Sequence, residues 1–236
     1  MKLAIMQPYF LPYIGYYQLI AAVDQFIVYD NIKYTKKGWI NRNRMLLNGT
    51  DAIFSLPLKK GPDTLDVVNR ELAADFDRIK LLNQIKGAYV GAPEFDTTYP
   101  VIERIVLCKE TNLFAYIHHS INQLCKHLGI VTEIKISSGL PIEHELKGQN
   151  KVLALCKESG ADTYINAIGG VELYNRDEFQ AQGIDLQFIK ARPFEYEQFG
   201  QPFVPWLSII DVLMFNPLDQ VIDRICNGYD LIGATA

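Results

Sequence analysis

Four stretches of this 236-residue chain hold side chains whose types and spacing suit a chemical task. The first is Gln7-Pro8-Tyr9-Phe10-Leu11-Pro12-Tyr13-Ile14-Gly15-Tyr16. Pro8 and Pro12 fix φ and so set the shape of the stretch in advance. Gly15 lets the backbone approach a ligand closely, and a helix starting there offers its first N–H groups to an anion. Gln7, Tyr9, Gly15 and Tyr16 are the candidate contacts. The bland alternative is a tight corner packed by prolines and aromatics.

The second stretch runs from Lys33 to Arg44. It carries Lys33, Lys36, Lys37, Arg42 and Arg44, with no acid between Asn31 and Thr50. Tyr34 and Trp39 are interleaved. An arginine fork matches phosphate or carboxylate, and an aromatic face suits a base or sugar. If Lys36 and Arg42 face the first stretch, they suit a nucleotide diphosphate, with Trp39, Asn41 and Asn43 beside them. The alternative is a solvated hairpin face.

The third is Tyr164-Ile165-Asn166-Ala167-Ile168-Gly169-Gly170, where an Asn and a Gly-Gly turn follow an apolar run. Asn166, Gly169 and Gly170 suit an anion- or amide-binding loop, or simply a turn. The fourth is Leu207 to Asn216, apolar on every side except Ser208, Asp211 and Asn216. A helix apolar all round is buried, so Asp211 is expected inside and in need of a partner. Arg42, Arg44 or backbone N–H groups are candidates, and Ser208 stands one turn before it. Asp211 is then either part of a structural pair or a base acting on a substrate amine, with Ser208 beside it.

Other chemistries have little support. His118, His119, His127 and His144 form no HxxxH or HExxH pattern, so no metal site is expected. Cys108, Cys125, Cys156 and Cys226 are widely spaced without a CxxC pair. That argues against a disulfide framework and a zinc finger, and suits a reducing cytoplasm. No cofactor is implied. The net charge of −4 speaks against a nucleic-acid surface, so any anion site is local. The N-terminus lacks the apolar core of a signal peptide, and no run reaches the ~20 apolar residues of a membrane span.

The elements that must position these stretches follow from periodicity. Leu3–Met6 reads as a buried strand, Tyr16–Val23 as a helix and Gln25–Asp30 as a strand, the βαβ pattern of a parallel sheet. Trp39–Leu47 and Ala52–Leu58 flank Asn48-Gly49, the strongest short hairpin signal, so an antiparallel pair should extend or flank that sheet. Residues from about 75 to 128 read as helical, with Phe114, Ile117, Ile121, Leu124, Cys125 and Leu128 on one apolar face. Strands are expected at Thr132–Ser137, Asp162–Asn166 and Asp185–Lys190, with helices at Lys151–Ser159 and Val171–Gln182. A helical tail should occupy about 206–233, broken near Pro217. The expectation is one α/β domain over 1–236, with a Rossmann-like, mostly parallel sheet, an antiparallel hairpin and a helical region.

The four stretches, in this order, resemble the WbqC-like family: the opening Met6–Tyr16, Gly38–Asn43, Tyr164–Asn166 with Ile168–Gly170, and Leu207–Asn216. The resemblance covers nearly the whole chain. One departure is Asn150, where the family pattern leads one to expect Asp. The resemblance implies an enzyme of bacterial surface-polysaccharide (O-antigen-type) or modified-sugar biosynthesis, with a nucleotide-linked sugar or other phosphorylated small molecule as partner. The expected reaction is transfer of an acyl or aminoacyl group, from an acyl carrier for instance, to an amino sugar. Asp211 would act on the acceptor amine, Lys36 and Arg42 on phosphates, and Gln7, Asn166 and Asn216 on polar groups. The alternatives are a non-catalytic binding protein of the same pathway and a degenerate nucleotidyltransferase. The first stretch loosely resembles the HxGH loop of nucleotidyltransferases and pantothenate synthetases, but Pro12-Tyr13-Ile14-Gly15-Tyr16 holds neither histidine.

Overall fold

The apolar run Leu3–Ile5 forms the centre of strand β1 (Lys2–Met6), and the loop after it leads into helix α1 (Ile14–Ala21). Strand β2 (Gln25–Val28) returns parallel to β1, with Leu3 opposite Gln25 and Met6 opposite Val28. The computed structural model describes residues 1–62 and 64–233. The βαβ opening is therefore as expected, although α1 starts two residues earlier, at Ile14.

Strand β3 (Arg42–Leu47) and strand β4 (Thr50–Ser55) pair antiparallel across Asn48-Gly49. Both turn residues have positive φ, 51° and 77°, as a tight hairpin turn matched to strand twist requires. The hairpin forms its own two-stranded sheet and flanks the main one. Helices α2 (Arg78–Tyr89), α3 (Phe95–Val106) and α4 (Leu113–His127) fill the expected helical region. The predicted apolar face of α4 is buried throughout.

Strand β5 (Glu133–Ile136), helix α5 (Gly148–Ser159), strand β6 (Thr163–Ala167), helix α6 (Arg176–Ala181) and strand β7 (Asp185–Ala191) follow. Here the helix expected at Val171–Gln182 is corrected. A short 3-10 stretch, Ile168–Leu173, comes first, and α6 starts only after Asn175. The Asn175 side chain accepts from the N–H groups of Asp177 and Glu178, so it caps a new helix and does not continue an old one. The tail differs as well. Helices α7 (Ile209–Phe215) and α8 (Leu218–Asn227) break at Pro217, but Tyr229–Gly233 form strand β8, antiparallel to β7. A five-residue edge strand is too short to show a period against a helical tail.

The six-stranded sheet has the order β5-β2-β1-β6-β7-β8 and is parallel except at β8. Side chains alternate between its faces. Ala4, Phe26, Val28, Ile165 and Ile189 join the core that includes α1, α4, α7 and the hairpin. Leu3, Ile5, Ile27, Tyr164, Leu186 and Phe188 pack with α5 and α6. Both faces of the sheet are thus covered, as parallel strands require.

Candidate functional site

The chain leaves β1 for β2 on one side, while β6 joins β1 on the other. In open α/β sheets such a reversal opens a crevice beyond the carboxyl ends of the strands. A cleft of about 560 Å³ occupies that place. The loop after β1 forms part of its lining, and the loop after β6 forms another part.

The first loop is held in a demanding shape. Leu11 is buried with φ 46°, in the left-handed region that a branched side chain rarely adopts. Its carbonyl accepts from Asn43 Nδ2 at 2.6 Å and from Ser208 Oγ at 2.7 Å. Asn43 Nδ2 also reaches the Phe10 carbonyl at 3.2 Å, and the Ile209 N–H bonds the Pro12 carbonyl at 2.9 Å. Tyr16 closes the loop by donating its hydroxyl to the Gln7 carbonyl at 2.9 Å. The third and fourth stretches of the sequence pattern thus differ in purpose: the fourth braces the first loop, while the third meets it across the cleft. Gly15 sits under Tyr13, where an added Cβ would lie 2.2 Å from the phenol oxygen. No side chain caps the N-terminus of α1. The Tyr16 N–H already donates to the Tyr13 carbonyl at 3.1 Å, which leaves the preceding N–H groups of Ile14 and Gly15 to suit an anion.

Trp39, Arg44 and Trp206 border the cleft. Arg44 Cζ lies 5.8 Å from the Trp39 ring centroid, and Nη2 donates to the Trp206 carbonyl at 3.0 Å. Trp206 has φ 61° and packs edge-on against Tyr13 at 5.9 Å. A bulky residue held in that region stores backbone strain; Trp206 is largely open to solvent and Trp39 partly so. Arg44 is the only charged residue among the described lining residues. Burial pushes the phenols of Tyr9, Tyr13 and Tyr29 up, so they remain protonated donors at neutral pH.

The structure brings together Gln7, Tyr9, Gly15, Tyr16, Trp39, Asn43, Asn166, Gly169 and Gly170. It does not bring Lys36, Asn41, Arg42, Ser208, Asp211 or Asn216 into the lining. Arg42 turns back to the Gly38 carbonyl at 2.8 Å and to the Lys37 carbonyl, with its guanidinium 5.1 Å from Trp39. Arg44, two residues along the same strand face, takes the cleft position instead. Asn41 accepts from Tyr34 and donates to the Leu56 carbonyl. Asn216 donates to the Val212 carbonyl and ends α7. Lys36 lies on an exposed turn.

Asp211 is buried as expected, but its expected partners are replaced. Neither Arg42 nor Arg44 meets it, and Ser208 bonds the Leu11 carbonyl instead of its carboxylate. Tyr89 donates to Oδ1 at 3.0 Å, while Tyr196 and Gln198 donate to Oδ2 at 2.7 and 2.6 Å. Tyr89 also accepts from the Leu46 N–H, so the carboxylate ties α7 to α2 and β3. Burial raises the Asp211 carboxyl and the three donors lower it, with burial the larger effect.

Sequence reasoning missed Tyr13, Tyr29, Arg44, Tyr174 and Trp206 in the lining. Tyr13 lies inside the first stretch and Arg44 inside the second, so their types were visible but not their direction. A polar cluster behind Tyr29 was also missed. Lys151 lies 5.5 Å from the Tyr29 ring centroid and donates to Asn31 Oδ1 at 3.0 Å. Asn31 meets His144 at 2.9 Å. Among the described residues no three of His, Cys, Asp and Glu gather as a metal site, and no helix is long and apolar enough to cross a membrane.

The fold and the cleft together define an α/β protein with a mostly parallel sheet and an aromatic-lined crevice at its switch point. The model of the WbqC-like protein family matches residues 7–222, and the chain belongs to that family. It is also similar to the uncharacterized protein Rv1507c of Mycobacterium tuberculosis (strain ATCC 25618 / H37Rv). The two are 29% identical over 220 residues, covering 91% of this chain and 93% of that one. No solved structure gives a significant match.

Proposed function

We propose that this protein is an enzyme of bacterial surface-polysaccharide or modified-sugar biosynthesis that holds a nucleotide-linked amino sugar in the switch-point cleft. The observation that supports this reading is the convergence of the first loop and the Asn166 loop with Trp39, Arg44 and Trp206 around one cleft. The two exposed indoles suit stacking on a base or sugar. Arg44 and the uncapped start of α1 suit a diphosphate. The reaction is transfer of an acyl or aminoacyl group to the sugar amine, with an acyl carrier as one donor. The setting is the cytoplasm, consistent with four cysteines that are all free thiols. Asp211 and Ser208 enter as residues that fix the loop and its supports, not as groups that touch the sugar.

One observation favours a second reading, a binding protein without turnover. No carboxylate, histidine or cysteine is among the described lining residues. The deciding experiment is calorimetry with UDP-, GDP- and dTDP-linked hexosamines, beside mass spectrometry of mixtures with acyl thioester donors. Binding with product formation supports transfer. Binding that Arg44→Ala weakens, with no product from any donor, supports the second reading. No binding by any of the three probes overturns the assignment of the cleft.

A further inference from the structure

The loop after β6 contains a hydrogen-bond network whose directions can be counted. Asn166 Oδ1 accepts from the Ala167 N–H at 2.6 Å, which fixes the amide orientation. Its Nδ2 carries two protons and can only donate. One goes to the Tyr164 hydroxyl oxygen at 2.9 Å and the other to that of Tyr174 at 2.8 Å. The two phenol oxygens lie 3.3 Å apart.

Tyr164 is fully buried, its ring stacked on Phe179 at 5.5 Å. Either phenol could donate in that pair, but among the described residues the Tyr174 oxygen is the acceptor within hydrogen-bond distance of the buried Tyr164 hydroxyl, so Tyr164 donates. The Tyr174 oxygen then accepts from Asn166 and Tyr164, which occupies both of its lone pairs. Its own proton must point away from both donors. Tyr174 is half-buried and lines the cleft on one side and a more open hollow beside Gln149 and Glu178 on the other. Tyr174 follows the 3-10 stretch and precedes Asn175, which caps α6, and Gly170 leaves Asn166 room, since a Cβ there would lie 3.2 Å from Oδ1.

We infer that the Tyr174 hydroxyl is a dedicated hydrogen-bond donor of the cleft, directed by Asn166 and Tyr164 at an oxygen acceptor of the bound ligand. This deepens the proposed function and rests on it for the identity of the ligand. The acceptor is a phosphoryl, carbonyl or hydroxyl oxygen. An N–H or ammonium group at the same place meets a proton instead of a lone pair and is rejected. Burial pushes the Tyr174 phenol up, and the two donors to its oxygen hold it down. Asn166 and Tyr164 are positioning residues, because their polar atoms face one another and Tyr174.

Two measurements test this, and they fail independently. In the first, 3,5-difluorotyrosine is placed at position 174 of the unliganded protein and titrated by 19F NMR. Its midpoint should rise by about one pH unit in Tyr164→Phe, which removes one donor to the phenolate. An unchanged midpoint overturns the directed network, whatever the ligand is. In the second, UDP-N-acetylglucosamine and UDP alone are bound to the parent and to Tyr174→Phe. A loss of about tenfold for both probes places the acceptor on the diphosphate, and a loss for the sugar nucleotide alone places it on the sugar. Equal affinity of parent and variant for both probes overturns ligand donation by Tyr174. If the parent binds neither these probes nor the GDP- and dTDP-linked hexosamines, the proposed function falls, while the titration still decides the network.

Discussion

Replacing Asp211 by Ala removes the acceptor shared by Tyr89, Tyr196 and Gln198. Each donor left buried without a partner costs about 1–3 kcal/mol. Tyr89 and Gln198 are buried, whereas Tyr196 is partly open and can turn to water. The sum is therefore roughly 2–6 kcal/mol once the partly hydrated donor is discounted. In a chain of this size each kcal/mol moves the midpoint by about 2–4 °C, so Tm should fall by roughly 4–24 °C. Asp211→Asn keeps one acceptor oxygen but turns an amide N–H₂ toward a donor, and should cost roughly 1–3 kcal/mol. Urea and thermal denaturation measure both variants. Ligand binding by Asp211→Asn should survive at temperatures well below its own midpoint. A melting point for Asp211→Ala within about 2 °C of the parent would refute the bracing role. A fully folded Asp211→Asn that binds its substrate and loses turnover would return Asp211 to the chemistry.

Asp211 also carries a pH signature. Its carboxyl is raised in the folded state, so folding keeps the proton to higher pH than the unfolded chain does. The associated stability is complete below the unfolded value of about 3.9 and is lost as pH rises through the folded value. Parent minus Asp211→Asn stability should thus decline above pH 4, and a difference that grows with pH contradicts it. Asn43→Ala removes bonds to the Phe10 and Leu11 carbonyls and should cost about 1–3 kcal/mol while weakening nucleotide-sugar binding, read by urea denaturation and calorimetry. Trp39→Ala should leave Tm nearly unchanged, because the ring is exposed, and lower nucleotide affinity about tenfold through lost stacking. Gly170→Ala brings a methyl 3.2 Å from Asn166 Oδ1 and should reduce binding more than stability, since the Asn166 side chain can yield only by releasing Tyr174.

The sequence was most legible where one local signal decides the outcome. Apolar and β-rich runs gave the parallel strands, and Asn-Gly gave the hairpin. The apolar face of α4 was read residue by residue. The first loop and the Asn166 turn were legible as site candidates because both follow strands of a parallel sheet, whose carboxyl ends meet at the reversal of strand order. The cap at Asn175 was visible as a residue type, but a six-residue helix after a 3-10 stretch shows no period of its own.

Direction was not legible. Arg42 and Arg44 share a strand face, and only the path of the Lys37–Gly38 turn decides that Arg42 folds back while Arg44 reaches the cleft. Burial of Asp211 follows from an apolar helix, since a carboxylate inside must find donors. Which donors it finds depends on a segment near Tyr196 and on α2, and long-range packing alone sets those neighbours. The amino-acid sequence by itself determined the parallel strands, the hairpin, the buried face of α4 and the two loops of the cleft, because each rests on local periodicity or turn chemistry. Tertiary structure alone decided that Ser208 and Asn43 brace Leu11, that Asp211 ties helices together and that Tyr174 turns its proton outward. Those outcomes depend on groups up to 197 residues apart in the chain, and no local pattern encodes such a meeting.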